Sequence, residues 1–215
     1  MNMKFLKRVL AVTLAASLMV APVITAGATT NSSEPAATSS TSTASQESTP
    51  ATNPDVKTVG SFSVPGANLT SDVPGSYLIK TIAGIAVRQS AATIKAAAGL
   101  AANESVFVRA YDITAAKAPA AFASANFAAT ALGGTIKGAL NIDLGKLTAG
   151  KNFTTLNGVA VPCTFGLRNV TAGKRLVVIR VLPGGAVEVL EDQDENPNTV
   201  TVNISGFGAY FIVEI

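Results

Sequence analysis

The side chains best suited to chemistry lie in an acidic stretch near the C-terminus. Asp192, Asp194 and Asn196 place carboxylate and amide oxygens at alternate positions, and oxygen atoms are the ligands that calcium takes in proteins. An EF-hand is excluded, because Pro197 stands where that loop needs glycine and Asn203 where it needs a bidentate glutamate. The pattern predicts either a calcium site of another kind at residues 192, 194 and 196 or an acidic loop that is only solvated.

The absence of histidine excludes the commonest catalytic arrangements. Neither a Ser-His-Asp triad nor a zinc site built on histidine can form. Cys163 is the only cysteine, so no intrachain disulfide can form. Without a histidine to activate its thiol, we predict that Cys163 is a small buried hydrophobic residue rather than a nucleophile.

A pair of catalytic carboxylates, as in glycosidases, is the remaining enzymatic arrangement. Besides the acidic stretch, the candidates are Asp72, Glu104, Asp112, Asp143 and Glu188. Their sequence settings single out no two of them, and Asp112 follows a strand-like segment, where it is expected to cap or turn the chain. We therefore expect that the protein is not an enzyme, with a hydrolase as the third choice of function.

Arginine and aromatic residues offer few clear binding signals. Arg88, Arg109 and Arg180 lie in apolar segments and are expected at exposed strand positions, although each is chemically able to bind an anion. Sugar recognition by stacking calls for exposed aromatic rings. The chain has no tryptophan, three tyrosines and nine phenylalanines, and we assign the phenylalanines to the core. A protein partner is therefore favoured over a glycan.

The N-terminal segment has the three parts of a secretory signal peptide. Lys4, Lys7 and Arg8 precede an apolar run over residues 9–20, and small residues at 26–28 suit a signal peptidase. We predict cleavage after residues 1–28 and secretion to an extracellular location.

Cleavage would remove three of the 16 basic residues and none of the 13 acidic ones, leaving 13 of each. A nucleic-acid partner is thus unsupported, and no later segment is apolar and long enough to span a membrane.

The rest of the chain divides into a linker and one domain. Residues 29–54 are rich in Ser, Thr, Ala and Pro and lack aromatic residues, a composition that predicts a disordered linker. Residues 55–215 have the length of a single globular domain. We predict a mainly β, antiparallel sandwich-like fold with two short alanine-rich helices, and an open α+β sheet is the alternative.

Local patterns place the elements of this domain. Helices are predicted at residues 91–98, with Ser90 as cap, and at 118–132, with Pro119 in the first turn. A Pro-Gly-Gly turn at 183–185 predicts a hairpin between residues 176–182 and 186–190. Alternating residues at 199–204 and an aromatic-rich segment at 209–215 complete what we expect to be a meander. Further strands are predicted at 77–87, 106–111, 137–143 and 152–156.

Residues 173–181, 184–190, 200–202 and 206–210 contain a turn, a hairpin and a final strand with an aromatic residue. This stretch, residues 169–215, resembles the closing strands of β-sandwich modules in secreted and wall-associated proteins of Gram-positive bacteria. The resemblance implies a non-catalytic module for extracellular or cell-surface interaction with a protein or glycan. No sorting motif with a hydrophobic tail follows, so we expect simple secretion. The second functional class is a calcium-dependent or glycan-binding module that uses residues 191–198.

Overall fold

The computed structural model describes residues 57–148 and 152–215. The predicted signal peptide at residues 1–28 and the predicted linker at residues 29–54 lie outside the described residues. Strands and helices are numbered separately in chain order. The strands are β1 Lys57–Val64, β2 Ala67–Leu78, β3 Gly84–Val87, β4 Ser105–Asp112, β5 Thr135–Leu147, β6 Phe153–Thr155, β7 Ala160–Gly166, β8 Leu176–Val181, β9 Val187–Glu191, β10 Thr199–Ser205 and β11 Phe207–Glu214. The helices are α1 Ala91–Ala97 and α2 Pro119–Ala131.

The strands form two sheets. The large sheet has the order β1-β2-β4-β5-β11-β8-β9, with β6 paired to β5, and the small sheet has the order β10-β7-β3. Every neighbouring pair is antiparallel except β2 and β4, which run parallel. The predicted mainly β, antiparallel sandwich-like fold with two short helices is confirmed. No helix within the described part of the chain is long and apolar enough to cross a bilayer.

The main core lies between the two sheets. Leu140, Ile142 and Tyr210 from the large sheet belong to the same buried cluster as Phe165 and Val202 from the small sheet. Successive strand residues point to opposite faces, so the opposite face of the large sheet is free to meet another layer. We call this opposite face the outer face.

Helix α2 covers part of the outer face. Ala125 and Ala129 are buried against the sheet, and the Phe122 ring meets the Phe211 ring edge to face with centroids 4.9 Å apart. Alanine on the contacting side lets the helix pack close to the strands. Phe127 points away from the sheet and is 66% exposed, because it lies off the helical face that carries Ala125 and Ala129. The assignment of the phenylalanines to the core is therefore wrong for Phe127.

The predicted meander at the C-terminus is wrong. β8 and β9 form the expected hairpin, but β10 crosses to the small sheet and pairs with β7. β11 then returns to the large sheet between β5 and β8. All its residues after Phe207 are buried, and such a strand requires a central position with a layer on each side.

Candidate functional site

The acidic stretch is a folded loop whose oxygens bond to its own chain. An Asp192 side-chain oxygen accepts from the backbone N–H of Asp194 at 3.0 Å, an Asp194 oxygen accepts from Asn196 at 3.0 Å, and the Asn196 amide oxygen accepts from Asn198 at 2.9 Å. These are successive Asx turns, in which Asp or Asn bonds the backbone two residues on. The alternate spacing that predicted a calcium site thus also builds a ladder of turns.

Strand β10 supplies further donors to this loop. The Asp194 carboxylate accepts from the hydroxyls of Thr199 and Thr201, the closest at 2.6 Å. Asp192 accepts from the backbone N–H of Thr201 at 2.9 Å. Burial raises the pKa of the Asp192 carboxyl, although the hydrogen bonds from the backbone of Asp194 and Thr201 act against that rise.

The loop also holds a distant turn. The side-chain amides of Asn196 and Asn198 donate to the backbone carbonyl of Pro65, at 3.2 and 3.3 Å. Nowhere in residues 57–148 and 152–215 do three His, Cys, Asp or Glu side chains group as metal ligands. A cation at Asp192, Asp194 and Asn196 would have to compete with these hydrogen bonds, and calcium binding there stays a prediction.

The other carboxylates proposed from the sequence are spread over the fold, and four of them have defined partners. The Glu104 carboxylate pairs with Lys146 at 2.6 Å, Asp112 accepts from Thr81, Asp143 accepts from Thr155 and Glu188 pairs with Arg180. Asp72 is exposed on β2. Asp112 accepts from the backbone N–H of Lys80 and of Thr81, so its carboxylate ties the end of β4 to the segment between β2 and β3.

Arg88 and Arg180 differ in their exposure to solvent. Arg88 is exposed, as predicted. Arg180 is only 12% exposed, so the prediction of an exposed strand position is wrong for it. Its guanidinium donates to the backbone carbonyls of Ser205 and Phe207 and lies near the Tyr210 ring. Arg180 is buried because these carbonyls, at the crossing from β10 to β11, need donors.

Cys163 is fully buried in the core of the sandwich, as predicted. Burial raises the pKa of its thiol to about 12. At neutral pH the thiol is therefore protonated, and only the thiolate is nucleophilic. The structural role proposed for Cys163 accounts for its position.

A cleft lies beside α2 on the outer face. Its volume is about 390 Å³, within the size range of small-ligand pockets. We call it the outer cleft. It is lined by Tyr111, Asp112, Ile113, Lys117, Ala118, Ala121, Asn141, Val181, Leu182, Pro183, Phe207 and Ala209.

Strand register explains how these residues come together. Tyr111 on β4 lies opposite Asn141 on β5, Asn141 lies opposite Ala209 on β11, and Ala209 lies opposite Val181 on β8. The four residues form one row across the outer face. Asn141 and Ala209, at the centre of this row, make the floor of the outer cleft. Phe207 is two residues from Ala209 and shares its face.

Two aromatic rings stand on either side of this floor. Tyr111 and Phe207 are each 42% exposed, in contrast to the buried Phe165 and Phe211 of the cores. Their strands are separated by β5, so the strand axes are about 10 Å apart. The two rings therefore stand on either side of β5 and are too far apart to stack on each other.

The polar group at the floor is the side-chain amide of Asn141. This residue is 6% exposed, and its side-chain amide makes no hydrogen bond to the described residues. The amide atoms are not fully buried, because Arg180 Nε is the one fully buried side-chain polar atom without a partner in the described part of the chain. Solvent therefore reaches the amide, and a polar ligand in the cleft can bond it.

A second polar cluster adjoins the outer cleft. Arg109 lies two residues before Tyr111 on β4 and opposite Asp143, and its guanidinium lies 3.9 Å from the centre of the Phe153 ring. Burial raises the pKa of the Asp143 carboxyl, while its bond from Thr155 and the charge of Arg109 lower it. Asp143 in turn lies opposite Phe207, so this cluster continues the surface of the outer cleft.

A further hollow, of about 410 Å³, lies at another part of the surface. It contains Lys137, whose ammonium is paired with Glu214 at 3.1 Å, and Thr81, which is bonded to Asp112. Arg168 and Asn169 complete its polar lining and are exposed. The hollow has no aromatic lining residue, whereas the outer cleft has two half-exposed rings, and for this reason we take the outer cleft as the candidate site.

Sequence reasoning missed the outer cleft because it assigned the phenylalanines to the core. The alternation in β11 does place Phe207 on one face with Ala209, Phe211 and Val213. How far α2 extends over that face is a matter of tertiary packing, which the sequence pattern does not give.

Comparison with protein-family models, with curated proteins and with solved structures found no match.

Proposed function

We propose that this protein is a secreted, non-enzymatic β-rich module of bacterial origin that binds an extracellular or cell-surface partner through the outer cleft. The carrying observation is the unpartnered amide of Asn141 at the floor, between the half-exposed rings of Tyr111 and Phe207. Exposed aromatic residues grouped around a depression are typical of binding surfaces. The three residues lie on three different strands, and the order of strands in the large sheet brings them together.

The non-enzymatic part of the proposal rests on how the reactive groups are used. Asp112 and Asp143 near the outer cleft accept hydrogen bonds from Thr81 and Thr155, and the chain has no histidine to act as a base. Secretion rests on the signal-peptide pattern of residues 1–28. A bacterial origin rests on the resemblance of residues 169–215 to Gram-positive sandwich modules.

The direct test is binding of the labelled full chain to washed Gram-positive cells. We expect saturable binding that the double variant Tyr111→Ala/Phe207→Ala loses, because both rings leave the outer cleft. Phe127→Ala is the matched control, since it removes an exposed aromatic ring from α2 that is not part of the outer cleft. Absence of cell binding, or equal binding by the double variant, would overturn the proposal.

A further inference from the structure

The outer cleft combines flat apolar surfaces with a single deep polar group. Tyr111 and Phe207 supply the aromatic faces, Ala209 lies next to Asn141, and Val181 lies on the other side of Ala209 and extends the apolar surface. A ligand that fills this space must therefore be apolar on its faces and polar at its edge. A six-membered sugar ring has this character, because its C–H groups lie on the faces and its hydroxyls lie around the rim.

The chemistry of Asn141 narrows the choice. A side-chain amide has one acceptor oxygen and an NH₂ that donates, and a sugar hydroxyl is both a donor and an acceptor. Neighbouring hydroxyls on one ring can thus bond the amide oxygen and the amide nitrogen together. A purely apolar ligand would leave the Asn141 amide unpaired and would bind at a cost of about 1–3 kcal/mol.

The rings of Tyr111 and Phe207 suit the same ligand. An aromatic ring carries partial negative charge on its face, which attracts the slightly positive C–H hydrogens of a sugar. The roughly 10 Å between the axes of β4 and β11 leaves room for a ring between the two side chains. A protein partner would need about 800 Å² of contact on each side, whereas the concave surface here has the size of a small-ligand site.

We propose that the outer cleft binds carbohydrate, with a sugar ring between Tyr111 and Phe207 and its hydroxyls bonded to the amide of Asn141. This inference rests on the proposed function and names the partner class of the same site. Lys117 stands at the rim and is exposed, where its ammonium can donate to further hydroxyls. The acidic loop at residues 191–198 contributes no lining residue to the outer cleft and is not part of the proposed site.

The first test treats the cells before the labelled full chain is added. Periodate cleaves the vicinal diols of surface sugars, a muramidase digests the peptidoglycan glycan, whose 1,4-linked chain has no vicinal diol, and a broad-specificity protease removes surface proteins. The inference predicts that either periodate or muramidase abolishes binding and that protease leaves it unchanged. Binding that resists both periodate and muramidase would overturn the inference. Loss of that resistant binding with protease would leave the proposed interaction module standing. Absence of binding to untreated cells would instead overturn the proposed function.

The second test uses purified sugars and a variant of the deep amide. A panel of soluble glucans, galactans, mannans and peptidoglycan glycan fragments is titrated into the full chain by calorimetry. For any sugar that binds, Asn141→Leu should weaken binding about tenfold, because both hydrogen bonds are lost, and Phe127→Ala should leave it unchanged. Equal affinity for Asn141→Leu, or no binding to any of the panel, would overturn the inference.

Discussion

Tyr111 and Asn141 lie directly opposite each other on neighbouring strands, yet the tyrosine is 42% exposed and the asparagine only 6%. The difference arises because α2 packs on β5, β8 and β11, next to Asn141, whereas Tyr111 lies on β4. One cross-strand pair thereby supplies an exposed ring and a buried amide to the same cleft.

Asn141 should be of no benefit to folding. We expect Asn141→Leu to be about as stable as the natural chain, because leucine has a similar size and the amide makes no hydrogen bond to the described residues. Chemical denaturation of both proteins measures the difference in the free energy of unfolding. A loss of more than about 1 kcal/mol would show that the amide has a structural partner and is not kept for a ligand.

Asp194 should stabilise the fold through its hydrogen bonds. We expect Asp194→Ala to lose about 2 kcal/mol of unfolding free energy, because the hydroxyls of Thr199 and Thr201 and the backbone N–H of Asn196 lose their acceptor. Thermal unfolding of the variant and of the natural chain is measured with millimolar calcium and with excess chelator. The variant should be less stable by the same amount under both conditions. A loss confined to the calcium sample would instead support the cation site predicted at Asp192, Asp194 and Asn196.

Glu214 should make part of the stability dependent on pH. Its carboxylate accepts from the backbone and hydroxyl of Thr171 and pairs with Lys137, and these contacts lower its pKa below the ordinary 4.5. A lowered folded-state pKa contributes stability above the ordinary value, and this contribution is lost as the pH falls through the folded-state pKa.

The variant Glu214→Gln isolates this effect. We expect it to be about 1–3 kcal/mol less stable than the natural chain at pH 7, and the difference should shrink as the pH falls below 4.5. Denaturant titrations at several pH values measure it. Glu195→Gln, at an exposed loop position, is the matched control and should change little. A constant difference at every pH would contradict the role given to the charge.

Cys163 should be inert in the folded protein. Burial raises its thiol pKa to about 12, so we expect no reaction with a thiol-specific chromogenic reagent at pH 8 until denaturant unfolds the chain. The absorbance of the released product measures the labelling rate of the folded chain and that of the unfolded chain. Rapid labelling of the folded protein would contradict the core position of Cys163 and reopen the question of a reactive thiol.

Local signals predicted those elements that carry their own start and stop residues. The hairpin of β8 and β9 follows from its Pro-Gly-Gly turn, and α1 follows from Ser90, whose side chain accepts from the backbone N–H of Thr93 at 3.2 Å. β1, most of β2 and β7 were missed. Pro74 and Gly75 interrupt the pattern of β2, and Pro162 interrupts that of β7, so their strand character depends on the pairing partners.

The site was less accessible to prediction than the fold. The acidic loop stands out in the sequence because its charges are adjacent, whereas Tyr111, Asn141 and Phe207 come from three separate strands. Their grouping depends on β11 lying between β5 and β8. In the predicted meander β11 would pair with β10 and would not lie between β5 and β8. Phe207 would then not lie near Asn141 and Tyr111.

The most direct test of the binding face is hydroxyl-radical footprinting of the full chain, free and bound to Gram-positive cells. Tyr111, Phe207 and Phe127 are all exposed aromatic residues, so mass spectrometry can follow the oxidation of each. The account predicts that binding protects Tyr111 and Phe207 and leaves Phe127 unchanged. Unaltered oxidation of Tyr111 and Phe207 in the bound protein would contradict it and place the contact elsewhere on the surface.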